Sequence, residues 1–463
     1  MKAGFLADLA ELYPDLDASF LQEARAGFEL VHVKGGEVLV RHGEPSDALY
    51  ILMRGRLVAT RADATGEAVR LGEIGRGEII GEMSLLTGGM RTATVTGLRD
   101  SQLIRIPNEV FLGFMQHYPS VMQQFIRVLT RRLGQRARER RERLSTIALV
   151  PAGRRSDVND FARALAQAFE PDVAPRLLDA TAVRTRFPGG LDTVPEAEIA
   201  EWLNDLELEH KLLLYICDRY NDRWSELFLR QADRVLLVGD AGDEPTPNAF
   251  ESRLLAHADV ETLRGCELVL LHATDVGLPR DSEPWLQQRK LRRHHHLRAS
   301  VAEDLRRLAR HLLGRSVGLA LGGGGAKAFA EIGVLRALEE AGVPVDVIGG
   351  TSMGAVIGAL AARGHDAQAV HAALRQALRL KPFSGVTPPL VSLLSGKRLS
   401  RTMRSLFGDE RIEDLWRRYF CVSCNLTRGT VEAHDSGALA KWVLASNAIP
   451  GIIPPVLRGG ELF

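Results

Sequence analysis

A serine set between glycines, Gly350-Thr351-Ser352-Met353-Gly354, is the stretch of this sequence whose chemistry is plainest. G-x-S-x-G is the pattern of a nucleophile elbow. A sharp strand-to-helix turn leaves no room for neighbouring Cβ atoms, hence Gly350 and Gly354, and it lifts the Ser352 hydroxyl clear of the sheet. One strand–helix–strand unit earlier stands a run of four glycines, Gly322 to Gly325, followed by Ala326-Lys327-Ala328. Backbone N–H groups of a glycine loop opening a helix make an anion site, and an acyl-transfer intermediate needs one for its oxyanion. The loop lacks the G-K-[ST] ending of a nucleoside-triphosphate loop. A third cluster lies far upstream, Gly81-Glu82-Met83-Ser84 with Arg91-Thr92. A turn of helix after Gly81 offers N–H groups to an anion, Glu82 accepts from hydroxyls, and Arg91 grips a phosphate with two parallel bonds.

These groups need elements to hold them. An apolar strand from Val317 enters the glycine loop, and a helical pattern runs from about Phe329 to Glu340. A second apolar strand, Val345 to Ile348, leads into the elbow, and Ala355 to Arg363 is the nucleophile helix. Its N-terminus, with the N–H of Met353, faces the reaction centre with a dipole of the right sign. A helical run (Ala367 to Leu378) and a Pro-rich apolar stretch (Pro382 to Leu394) follow. The stretch is read either as part of an acyl-chain pocket or membrane-facing rim, or as a plain surface loop. Tyr419 to Leu426 reads as a strand and Ala438 to Ser446 as a helix. His434-Asp435 sits in a turn-like His-Asp-Ser-Gly and is not assigned as the base.

The glycine loop and the elbow, in this order and at this spacing, resemble the patatin-like phospholipase family. The resemblance implies that the glycine loop (Gly323, Gly324, Gly325) with the N–H of Met353 is the oxyanion hole, and that Ser352 is the nucleophile. It implies that Lys327 supports the loop. It also implies a later aspartate, in Asp-Gly-Gly or Asp-Gly-Ala, as the base, with no histidine involved. The family usually has Gly where Ala328 stands. Its aspartate follows a segment similar to Ala445-Ser-Asn-Ala-Ile-Pro-Gly-Ile-Ile-Pro-Pro-Val456 and a short hairpin, so it is expected just beyond Phe463. The chain as given is then expected to lack its general base and to be inactive.

From Leu30 to Ile106 the pattern becomes short alternating runs broken by glycines, as in an all-β barrel or jelly roll. Gly36-Glu37, Gly43, Asp47, Tyr50-Ile51-Leu52, Gly55 and the Gly81–Thr92 cluster together resemble a cyclic-nucleotide-binding domain. That resemblance implies Glu82 on the ribose 2′-hydroxyl, Arg91 on the cyclic phosphate, and backbone contacts from Gly81, Met83 and Ser84. Met90 replaces a common proline. Thr92 stands where a hydroxyl accompanies guanine recognition, yet hydroxyls also occur there in cyclic AMP binders, so the base stays open between cyclic AMP and cyclic GMP.

Composition bounds the remainder. The sequence has 463 residues, 45% hydrophobic and 25% charged, with net charge +1, which suits a soluble globular protein and argues against nucleic acid as a partner. No signal peptide and no apolar run of spanning length is present, which gives a cytoplasmic expectation. The four cysteines, Cys217, Cys266, Cys421 and Cys424, are read as reduced and buried. Cys421 and Cys424 fall on opposite faces of a strand. Val121 to Ser145 reads as one helix ending in a dense arginine run. It is taken as a solvated linker, the alternatives being a nucleotide lid or a patch for anionic headgroups. Thr146 to Leu313 alternates continuous apolar runs with helical segments, which suggests a parallel sheet covered on both faces. No chemistry is assigned to it, and His294-His-His296 is read as solvated surface and not as a metal site.

Arg230 to Gly239 and the His-rich segment resemble the neuropathy target esterase group. The fold class expected is therefore a multidomain chain. Residues 1–145 form an all-β jelly-roll barrel with flanking helices, 146–313 an α/β middle domain, and 314–463 an α/β patatin-like domain, incomplete. The function implied is a serine esterase acting on phospholipids or lysophospholipids through a Ser–Asp dyad. It needs no cofactor, is regulated by cyclic AMP or cyclic GMP, and touches membranes peripherally. The alternative is an inactive cyclic-nucleotide-binding regulatory or membrane-docking protein.

Overall fold

The structure is a computed structural model. It describes residues 9, 12–13, 27–62, 68–87, 89–118, 145–155, 157–170, 172–188, 194–218, 222–257, 266–298, 300–388 and 390–463. The arginine-rich segment, the first helices and the Met83 side chain lie outside the described residues. The chain divides into two compact units, Met1–Val238 with Pro247–Glu267 and Lys290–Arg292, and Gly239–Thr246 with Leu268–Arg289 and Arg293–Phe463.

The first unit opens with two four-stranded sheets. One runs Glu29–Val33, Ser101–Pro107, Ala48–Arg54, Ile79–Ile80; the other runs Val38–Val40, Thr94–Gly97, Leu57–Ala62, Ala68–Ile74. Neighbours pair antiparallel. The strand Ala48–Arg54 is apolar on both faces because each face meets a different core. Leu49, Ile51 and Met53 pack with Phe28, Phe111 and Phe114, while Ala48, Tyr50 and Leu52 point to Leu57, Val95 and Leu103 inside the barrel.

Beyond the barrel come parallel strands in the order Arg176–Leu178, Leu213–Ile216, Thr146–Pro151, Arg234–Asp240. Every residue of Thr146–Pro151 and of Leu213–Ile216 is buried, as continuous hydrophobicity requires of a sheet covered on both faces. Barrel and sheet meet through buried charge. Arg99 pairs with Glu207 and donates to the carbonyl of Gln231, and Arg56 pairs with Asp233 at 3.1 Å.

In the second unit a four-stranded sheet runs Gly318–Leu321, Val347–Gly350, Arg418–Asn425, Thr430–His434. The first three strands are parallel and the last is antiparallel. Helices Phe329–Glu340, Met353–Ala362, Ala367–Leu378, Lys397–Phe407 and Leu439–Ser446 pack around it. Met353–Ala362 is apolar all round and buried at every residue, the signature of a helix enclosed by its neighbours. Asp346, at the foot of the central strand, accepts two Arg310 bonds at 2.6 and 3.0 Å and the Val317 N–H at 2.9 Å. The chain ends in a hairpin, Leu457–Arg458 with Glu461–Leu462, turned by Gly459 and Gly460 at φ 57° and 81°. Among the described residues no helix is long and apolar enough to cross a membrane.

Two expectations are corrected here. His296 is not solvated. It lies on the strand Arg293–Arg298, 3% exposed, bonding His272 Nδ1-to-Nε2 at 2.9 Å and the Glu413 carbonyl at 2.8 Å. His294 reaches the same carbonyl at 2.9 Å. A three-residue run on a strand sends its outer members to one face, and that face is inside the protein. Burial holds His272 down to about 4 and His296 well below the ordinary histidine range, so both are neutral. Nor are all four cysteines buried: Cys424 is exposed while Cys421 is buried, the same alternation on Arg418–Asn425.

Candidate active site

The strand Val347–Gly350 delivers Ser352 into the helix Met353–Ala362 through one strained residue. Ser352 has φ 53° and ψ −124°, a left-handed geometry that costs a side-chain-bearing residue about 1–3 kcal/mol. The flanking glycines are steric requirements. A Cβ on Gly350 would lie 2.5 Å from the Gly354 carbonyl oxygen, and one on Gly354 would lie 2.4 Å from that of Gly322. The helix thus packs directly on the glycine loop.

That loop passes beside Ser352: a Cβ on Gly323 would stand 3.3 Å from Ser352 Cβ. The Gly322 N–H is held by Glu331 Oε1 at 2.7 Å. The N–H groups of Gly323, Gly324, Gly325 and Met353 make no hydrogen bond among the described residues. Gly325 opens a short 3-10 turn to Ala328 that runs into Phe329–Glu340. Lys327, expected as loop support, contributes its backbone, its N–H donating to the Gly324 carbonyl at 3.1 Å. Its side chain is exposed, and the side chain that steadies the loop is Glu331.

Two residues of the site escaped sequence reasoning as participants. Ser446 Oγ accepts the Ser352 N–H at 2.8 Å. Asn447 donates through Nδ2 to the Ser352 carbonyl at 3.0 Å and to the Val443 carbonyl at 2.8 Å, and its Oδ1 receives the Ser352 hydroxyl at 3.4 Å. Their signal was a polar pair closing the apolar helix Leu439–Ser446, with Asn447 buried. Among the described residues no carboxylate or imidazole bonds the Ser352 hydroxyl. His434 is instead the last residue of a strand, bonded to Ser423 Oγ at 2.7 Å and stacked on Trp442.

Met353 and Asn447 also line a shallow apolar cleft. Its walls include Phe329, Leu374, Phe383 and Met403.

In the barrel, Gly81 adopts φ 94°, and a Cβ there would lie 2.3 Å from Arg91 Nη1. Arg91 is 3% exposed. Its Nη2 donates to the Ala48 carbonyl at 2.9 Å and to Asp47 at 3.2 Å, whereas Nη1 is buried without a partner among the described residues. Asp47 is held below the usual carboxylate range, chiefly by its hydrogen bond from Arg105 and against its own partial burial. Glu82 and Ser84 are buried on the short helix Glu82–Thr87, and Thr92 is exposed next to Arg91. The structure therefore brings Gly81 and Arg91 together and, among the described residues, leaves a buried N–H donor without a partner.

Comparison with known proteins matches the chain to three family models in succession. They are a cyclic nucleotide-binding domain over residues 30–118, a Neuropathy Target Esterase family P-loop like domain over 143–316, and a patatin-like phospholipase over 319–463. Similar curated proteins include lysophospholipase NTE1 of Mycosarcoma maydis, 31% identical over 93% of this chain and 27% of its own length. Lysophospholipase nte1 of Aspergillus niger is 30% identical over 99% of this chain and 35% of its own. Patatin-like phospholipase domain-containing protein 6 of Homo sapiens is 31% identical over 94% of this chain and 35% of its own. The chain thus spans between 27% and 35% of the length of these relatives. Among solved structures, the Thermus thermophilus catabolite activator protein is similar at 23% identity, with TM-score 0.26, over 34% of this chain and 66% of its own. The chain thus carries three domains in succession, each similar to one family: a cyclic nucleotide-binding domain, the P-loop like domain of the Neuropathy Target Esterase family and a patatin-like phospholipase domain.

Proposed function

We propose that the chain is a serine acyl hydrolase cleaving fatty acyl esters of phospholipids or lysophospholipids. The observation that carries this reading is the strained Ser352, next in sequence to Met353 and hydrogen-bonded to Asn447, both of which line an apolar cleft, and beside a glycine loop with N–H groups unengaged among the described residues. The hydroxyl oxygen attacks the ester carbonyl, and the N–H groups of Gly323–Gly325 and Met353 hold the oxyanion that forms. The lipid alcohol leaves with a proton, an acyl-Ser352 ester remains, and water then releases the fatty acid. On the family pattern the proton acceptor is an aspartate following the hairpin Leu457–Leu462, which makes a Ser–Asp dyad; no cofactor is needed. The test is fatty acid release from lysophosphatidylcholine by residues 1–463 beside a chain carrying Asp-Gly-Gly after that hairpin. Release by the second chain alone supports the dyad; release by both at equal rates contradicts it.

The barrel carries a second reading, regulation by a cyclic nucleotide, favoured by the buried Nη1 of Arg91 beside Gly81, which has no partner among the described residues. A buried donor without a partner is costly, and a phosphate oxygen satisfies it. Glu82 would accept from the ribose, and Gly81, Met83 and Ser84 would offer backbone groups. Thr92 leaves cyclic AMP and cyclic GMP both open. Calorimetric titration with each nucleotide tests this: heat with one identifies the base, and heat with neither leaves the barrel as a structural or docking domain.

A further inference from the structure

The mouth of the apolar cleft carries a surface that catalysis alone does not use. Between Asp366 and Asp409 the sequence has no acidic residue and seven lysines and arginines, in a chain whose net charge is only +1. All seven are exposed, and none is ion-paired or bonded to a carboxylate among the described residues. Arg379 and Lys381 sit between the cleft-lining residues Leu378 and Pro382. Lys397, Arg398, Arg401 and Arg404 occupy the outer face of the helix Lys397–Phe407, whose inner face supplies Leu399 and Met403 to the cleft wall. Arg398 donates to Ser384 Oγ, next to the lining residue Phe383.

Within this basic frame stands an apolar hairpin. The Ser395 N–H bonds the Gly385 carbonyl at 2.9 Å and the Thr387 N–H bonds the Leu393 carbonyl at 3.0 Å. Bonds from Leu393 N to Gly451 O and from Leu394 N to Ile452 O, both 2.9 Å, pin its base to the segment just after Asn447. Its tip bears Val386 at 83%, Leu390 at 92% and Val391 at 71% exposure, with Ile449 and Ile452 exposed alongside. An apolar projection of this kind, rimmed by unpaired cations and continuous with an open apolar cleft, matches a lipid bilayer's acyl region and anionic headgroups at once.

We infer that this hairpin and the basic helix dock the chain on anionic lipid bilayers, the tip entering the acyl boundary while Lys397, Arg398, Arg401 and Arg404 meet the headgroups. The inference rests on the lipid reading of the cleft for its orientation only; docking itself needs no turnover. It is therefore measured on the Ser352→Ala chain, by co-sedimentation with phosphatidylglycerol-containing vesicles and with pure phosphatidylcholine vesicles at low and high salt. The expected result is binding at least tenfold stronger to the anionic vesicles, weakened by salt. Val386→Asp with Leu390→Asp should lower that binding at least tenfold while leaving the thermal unfolding midpoint unchanged. Lys397→Glu with Arg401→Glu and Arg404→Glu should abolish the preference for anionic lipid. Equal binding to both vesicle types, or full binding by the hairpin variant, overturns the proposal. Loss of binding to vesicles only when an acidic protein competes for the basic helix, with the hairpin variant unaffected, assigns the surface to a protein partner instead.

Discussion

The backbone N–H of Ser352 donates to the side-chain oxygen of Ser446 at 2.8 Å. On the proposed reaction this one bond decides which donors can serve an oxyanion, because the Ser352 N–H is already engaged. Among the described residues the free donors are those of Gly323, Gly324, Gly325 and Met353. Replacing Ser446 by alanine leaves a half-buried N–H without its partner, which costs about 1 kcal/mol. The expected outcome is a lower unfolding midpoint together with slower acyl transfer, read by thermal scanning and by fatty acid release.

Strain at the elbow gives a stability signature separable from activity. Ser352→Gly relaxes the positive φ, and Ser352→Ala does not. Both variants should lose hydrolysis, but the glycine variant should be more stable than the alanine variant by about 1 kcal/mol. Denaturant titration of the two side by side measures this, and equal midpoints contradict the strain.

Asn447 ties the Ser352 carbonyl to the helix Leu439–Ser446 and lines the cleft. Asn447→Ala should lower kcat about ten- to a hundredfold with a smaller change in KM, because a displaced nucleophile costs orientation more than binding. A change confined to KM would make Asn447 a substrate contact only.

In the barrel, Gly81→Ala places a methyl group 2.3 Å from Arg91 Nη1 at a backbone φ of 94°. The guanidinium must then move away from the space a phosphate would take. Affinity for a cyclic nucleotide should fall by about tenfold or more, as it should for Arg91→Ala; unchanged titration curves in both variants would place the ligand elsewhere.

The buried histidines make the second unit acid-sensitive. His272, held down to about 4, and His296, held well below its ordinary value, have folded values under the unfolded one. Protons therefore bind the unfolded chain preferentially. Stability is complete above the unfolded histidine value of about 6.5 and falls as pH drops from there toward the folded values. The unfolding midpoint should drop by about 3–6 °C between neutral pH and about pH 5. His296→Gln should flatten that dependence; an identical slope in the variant would assign it to other groups.

Much of this was legible in the sequence where one local rule decides the outcome. The helix at Phe329–Glu340 and the helix at Ala367–Leu378 fall where apolar periodicity put them. Ser352 and its two glycines fall where sterics demand them. The strands Thr146–Pro151 and Leu213–Ile216 follow from unbroken hydrophobicity. What stayed hidden depends on contacts distant in sequence. Nothing near Ser446 or Asn447 announces a partner at Ser352, and His296 is polar by type yet buried because His272 and the Glu413 carbonyl satisfy it. The Gly322 N–H is likewise held by Glu331, the third residue of the helix that follows the loop, a contact that the glycine run itself does not signal.

The central claim is that Ser352, served by the glycine loop, breaks the acyl ester. Its most direct test is fatty acid release from lysophosphatidylcholine by the chain that carries Asp-Gly-Gly after the hairpin, beside the same chain with Ser352→Ala. The account predicts turnover in the first and none above background in the second. Equal turnover in both would contradict it.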